Sequence, residues 1–139
     1  MIKPIGNPRG STAIEFALVL PVLVLLLFGI VEFGLLFYNE QVITNASREA
    51  ARAGIVAGSP RVSDGEIRNV VANYCTDHLI TFGEANNPVV VIYPPGDRTG
   101  SPFGQDLRVT VSYNYGFLVL GNFGFDDIDL TAKTVMKLE

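Results

Sequence analysis

The sequence predicts an α+β protein: a long N-terminal transmembrane helix, then a small domain with a second helix and a three-stranded, mainly antiparallel sheet. Three observations predict it. No charged side chain occurs from Phe16 to Val31. Ser63-Asp64-Gly65-Glu66 has capping-box spacing and opens an apolar face at helical intervals. From Val89 onward the apolar residues recur with period two, which is the pattern of strands with one buried face.

The first ten residues hold two prolines, two glycines and the two positive charges Lys3 and Arg9. Proline removes a donor and glycine costs backbone entropy, so residues 1–10 are expected to stay out of a stable helix and form a basic leader. Positive charge ahead of an apolar run keeps that end cytoplasmic and sends the rest across the membrane. The long helix is expected over 11–57. Ser11 or Thr12 can cap it, and Glu15 falls in its first turn, where a carboxylate suits the helix dipole. Phe16 to Val31 covers about 24 Å at ~1.5 Å per residue, short of the roughly 30 Å hydrocarbon core. The span is therefore drawn over about 16–38, using Phe33 to Tyr38, with Glu32 near the outer interface and within reach of water. Pro21, Gly29 and Gly34 suit a membrane or bundle helix better than a soluble one. A cleaved secretory signal is the rival reading, but the run is long for one and Phe28-Gly29-Ile30-Val31-Glu32 has no small-x-small site.

The continuation over 39–57 is amphipathic: Val42, Ile43, Ala46, Ala50 and Ala53 follow three-four spacing, and Glu40, Asn45, Arg48, Glu49 and Arg52 take other faces. Gly54, Gly58, Ser59 and Pro60 stop it. The extracytoplasmic domain then occupies 58–139. Its helix is expected over 61–81, with Ile67, Val70, Val71, Tyr74 and Cys75 inward. Val89 to Tyr93, Leu107 to Tyr115 and Leu130 to Leu138 are expected strands, and 117–125 is an apolar, glycine-punctuated loop on the core.

Composition narrows the function classes. The chain has 139 residues, mean hydropathy +0.33 and net charge −4. Without Lys3 and Arg9, 8 basic side chains face 14 acidic ones, a net of −6, which argues against a nucleic-acid partner. Nothing resembles a phosphate loop, a metal-ligand spacing or a catalytic triad, so neither an enzyme, a cofactor, a metal nor a small-molecule substrate is expected. Asp126-Asp127-Ile128-Asp129 lacks the alternating oxygen ligands of a calcium loop and reads as a solvated turn. His78 reads as a polar residue near a helix end, and Cys75 as a small buried apolar one.

Gly10-Ser11-Thr12-Ala13-Ile14-Glu15-Phe16 resembles the cleavage region of type IVb prepilins, with glycine before the cut and glutamate as the fifth mature residue. Glu15-Phe16-Ala17-Leu18-Val19-Leu20-Pro21, Phe28-Gly29-Ile30-Val31-Glu32-Phe33-Gly34 and Asn45-Ala46-Ser47-Arg48-Glu49-Ala50-Ala51-Arg52 are similar to the TadE-like family, the minor pseudopilins of the tight-adherence (Flp) pilus system. Ala50-Ala51 departs from the glycine often found in the last segment. The resemblance covers about residues 9–53; beyond Gly54 only the general layout is shared.

It implies a bacterial inner-membrane protein with a pilin-like helix, a cytoplasmic N-terminus and a periplasmic domain. Gly10 and Ser11 would flank the bond cut by a prepilin peptidase, and Glu15 would be the assembly carboxylate that pairs with the new amine. Phe16, Pro21, Gly29, Glu32 and Gly34 would form the membrane-helix motif. The implied partners are other pilins or pseudopilins, the assembly platform and the peptidase, with the pilus as a further location. An uncleaved, single-pass envelope protein with a binding domain is the first alternative, and a major structural pilin the second.

Overall fold

The computed structural model describes residues 8–58, 60–83, 85, 87–96 and 98–139, with only the backbone of residues 8 and 9. The leader over 1–7, Ser59 as a helix stop and Asp97 at the start of a loop lie outside the described residues.

Helix α1 runs Pro8–Ile55, 48 residues, or about 72 Å at ~1.5 Å per residue. It takes in Pro8 to Gly10, which were expected outside it. Proline is tolerated in a first turn, because the amide it lacks has no intrahelical acceptor there. Ser11 and Thr12 therefore lie inside the helix and do not cap it. Pro21 sits within the exposed apolar stretch without ending the helix. Gly54 is also helical, not a stop. It is buried, and a Cβ there would stand 2.6 Å from Leu107 Cδ2 and 2.7 Å from Ile67 Cδ1. Its missing side chain lets α1 close on the elements packed across it.

Helix α2, Asp64–His78, begins with the expected capping box: Ser63 Oγ accepts the Glu66 N–H at 3.3 Å, and Glu66 Oε2 accepts the Ser63 N–H at 2.8 Å. Glu66 Oε2 also accepts the Ser63 hydroxyl at 2.9 Å, and these two bonds to the carboxylate, the one from the Ser63 backbone first, hold the Glu66 carboxyl below its ordinary range. Ile67, Val71 and Cys75 are buried, with Val70 and Tyr74 half-buried beside them. The helix is shorter than 61–81: Ser63 caps its start, Leu79 closes its end, and the residues beyond them bond elsewhere. Arg61 reaches the carbonyls of Ile55 and Glu139 at 3.3 and 2.6 Å. Beyond the other end, buried Asn39 of α1 holds both backbone groups of Ile80, donating to its carbonyl at 2.8 Å and accepting its N–H at 3.0 Å.

The sheet consists of β1 (Val89–Tyr93), β2 (Asp106–Tyr115) and β3 (Ile128–Lys137), in the order β1-β2-β3 with both pairs antiparallel. Val111 stands opposite Val90 on one side and Ala132 on the other. Leu138 falls just past β3, where its N–H and carbonyl bond Gln105 and Gly104. Leu107, Val109, Val111, Tyr113 and Tyr115 face inward, and α1 and α2 cover that face as a second layer. Leu36, Ile43, Ala46, Ala50 and Ala51 are α1's share of this core. Ser47 bonds the hydroxyl of Thr134 at 2.7 Å, fastening α1 to the last strand.

Candidate functional site

Two regions carry the residues singled out by the sequence, and α1 joins them. The first is the N-terminal end of α1, where Glu15 falls beyond the first turn, which holds no acidic residue because the helix already begins at Pro8. Gly10 is exposed, and a Cβ built there meets nothing within 4 Å. Ser11 Oγ donates to Glu15 Oε1 at 3.4 Å across one exposed turn. Helical spacing thus brings together the residue after Gly10 and the carboxylate expected to act with it. Phe16 is 63% exposed, and the apolar side chains from Leu18 to Val31 are exposed as well. A helix this long and apolar, with none of its apolar window buried by the rest of the chain, fits a membrane anchor.

The second region begins at Glu32, and here the expectation is corrected. Glu32 is 3% exposed and not within reach of water. Its Oε1 accepts the N–H of Val119 and its Oε2 the N–H of Leu120, each at 2.9 Å. Those amides open a 3-10 turn, Leu120–Phe123, whose first N–H groups have no partner within the turn. Glu32 therefore caps a segment 87 residues away in sequence. The Tyr115 hydroxyl adds a bond to the Glu32 carbonyl at 3.4 Å. Burial, then the charge of Glu32, then Tyr113 push the Tyr115 pKa upward, so the ring stays a neutral donor.

Aromatic packing completes the joint. Phe117 makes edge-on contacts with Phe33, Tyr115 and Phe125 at ring-centroid distances of 6.1, 5.6 and 6.3 Å. One consequence is that the span does not run bare to Tyr38. From Glu32 onward one side of α1 carries Leu36, Asn39, Val42 and Ile43 into the domain, Phe33 lies at its edge against Phe117, and Phe37 and Tyr38 remain exposed. Gly29 and Gly34 lie on the exposed side, with Leu26, Ile30, Phe33 and Phe37 around a shallow apolar groove.

A third cluster had no signal in the sequence. Arg98 is 1% exposed and paired with Asp64. It also donates to the Val62 carbonyl at 2.6 Å, while Asp64 Oδ2 accepts the Gly96 N–H at 2.7 Å. This network ties the 96–100 loop to the start of α2 and is structural. Nothing marks Arg98 beforehand, because its partner lies 34 positions away. Asp126 and Asp127 are exposed, and Asp129 accepts from Asn114 Nδ2 at 2.8 Å across the β2–β3 pair. His78 is exposed and stacks on Tyr74 at 4.5 Å.

No curated protein and no solved structure matches the chain. The family comparison falls on α1 alone. Residues 10–52, from the exposed glycine through the apolar span to the face that carries Asn39 and Ser47, match the family model described as TadE-like protein.

Proposed function

We propose that this chain is a minor pseudopilin that takes part in assembling or priming a type IVb (Flp/Tad) pilus. It would sit in the bacterial inner membrane through α1, with its N-terminus cytoplasmic and its domain in the periplasm. A prepilin peptidase would cut between Gly10 and Ser11. The observation that carries the reading is the coincidence of the TadE-like match with an exposed apolar helix whose Glu15 stands one turn from Ser11.

The chemistry follows from that spacing. Cutting at Gly10 would free an amine on Ser11. A carboxylate among apolar side chains is costly unless it is paired. The new amine, on the same or a neighbouring chain, would be a suitable partner for Glu15, and pairing between chains would set the axial register of helices packed side by side. The bond to be cut lies inside the described helix, so it must unwind to enter a peptidase. Gly10 lowers that cost, because glycine is about 1 kcal/mol less favourable than alanine in a helix. The role is one of assembly and not of catalysis, with other pilins or pseudopilins, the assembly platform and the peptidase as partners.

Replacing Gly10 with leucine and measuring the N-terminus by intact-mass spectrometry tests this reading. The parent protein is expected to start at Ser11 and G10L to keep its leader. A parent protein that retains residues 1–10 in its native membrane would favour an uncleaved envelope anchor instead. Abundance in sheared filaments would separate a minor subunit from a major pilin.

A further inference from the structure

We propose that the membrane-proximal rim of the domain, formed by Leu118, Phe123, Phe125 and Phe82, is seated in the outer leaflet of the same bilayer that α1 crosses. The inference rests on α1 spanning a membrane but not on cleavage or pilus assembly.

The rim is apolar and open. Leu118 is 55%, Phe123 63%, Phe125 53% and Phe82 45% exposed. It continues the surface of the span: Phe82, Leu118 and Val119 meet Phe28, Val31 and Leu35, with Glu32 between them, around a cavity of about 120 Å³. The axial position also agrees. Phe16 to Val31 covers about 24 Å, and a slab of roughly 30 Å reaches about four residues further, to Leu35. That is the level of the cavity. The hydrocarbon missing from the bare helix is thus supplied by the domain's own rim.

Two chemical features fit this placement. The first is Glu32, which would lie inside the apolar slab. An ionisable side chain at that depth must face protein and be satisfied there. Glu32 is shielded by the 118–120 segment, with both of its oxygens bonded to backbone amides. The second is the charge pattern. The stretch from Gly116 to Phe125 holds no ionisable residue, and no lysine or arginine occurs from Tyr113 to Ala132. Contact is therefore apolar and does not depend on anionic headgroups. Exposed Asp126 and Asp127 come immediately afterwards and turn the chain back to water, which limits the depth.

The chain has no tryptophan, so single tryptophans can report depth in the full chain reconstituted into lipid vesicles. The variants are Phe123→Trp on the rim, Leu23→Trp within the span and Phe103→Trp as a distal control. Phe103 is exposed beside Gly104, which bonds Leu138; the next residue, Glu139, bonds Ile55. It therefore stands near the far end of α1, about 35 Å beyond Glu32 at ~1.5 Å per residue. All three positions are exposed, so the changes leave the core intact.

For an aromatic ring roughly 5–10 Å below the headgroups, lipids brominated high on the acyl chain should remove about half of the F123W emission. The loss should be the same in zwitterionic and anionic vesicles. L23W should respond to deeply brominated lipid, and F103W to neither. F123W emission that is open to aqueous iodide and insensitive to brominated lipid would overturn the proposal, placing the rim in water. Shielding from both quenchers would also overturn it, because a second copy or another protein would then cover the rim. An unquenched L23W would remove the span itself.

Discussion

Glu32 has two roles that pull in opposite directions along the chain. As the acidic residue that ends an uncharged run, it reads as the outer edge of a membrane span. As the cap on Val119 and Leu120, it is the residue by which the domain holds its helix. Only the first role is visible in the order of residues, because periodicity reports which face is apolar and says nothing about a partner 87 positions away. Asn39 and Ser47 illustrate the same limit. Both are polar, fully buried and bonded to distant groups, where an amphipathic pattern assigns polar residues to water. Glu32→Gln should make the weight of the cap measurable. An amide has one accepting oxygen where the carboxylate has two, so one of the two N–H groups would face a donor. An unsatisfied buried donor costs about 1–3 kcal/mol. Urea unfolding in detergent micelles should register a loss of that size, and an unchanged midpoint would mean that water reaches the amides.

Helix α1 and the elements across it meet most closely at Gly54. With Leu107 and Ile67 fully buried around the absent Cβ, Gly54→Val should overpack the contact and cost about 1–3 kcal/mol. Gly54→Ala should lose less, because alanine recovers about 0.8–1.0 kcal/mol of helix propensity. Thermal unfolding of the pair separates the two terms, and a G54V variant as stable as the parent would mean that the core gives way freely. The elements themselves were largely legible. The capping box at Ser63 and Glu66, the inward stripe of α2, the apolar run of β1 and the alternation in β2 are local patterns, and each stands where the sequence predicts it. Boundaries were less legible: the chain just past α2 is held by the distant Asn39, and α1 starts early because Pro8 fits a first turn. The Ser11–Glu15 contact was readable from helical spacing alone. The covering of Glu32 and the Arg98–Asp64 pair were not.

The whole molecule combines a bare apolar rod with a domain folded around the rod's second half. A single contiguous core joins α1, α2 and all three strands. Cys75 belongs to it and is fully buried, with burial pushing its thiol pKa up to about 11. The thiolate is the reactive form, so alkylation requires both exposure and a return to an ordinary pKa. If the domain opens only as a unit, iodoacetamide at pH 8 should label Cys75 about a thousandfold or more slowly in the native protein than in urea. Rapid native labelling would reveal local opening of α2. Helix α1 passes without a break from the exposed apolar span into this core, so span and domain share one helical axis. Each helical residue between the two corresponds to about 100° of azimuth and ~1.5 Å of height. The register of a single helix therefore works as a protractor: the direction in which Gly29 and Gly34 point fixes which side of the domain lies above them.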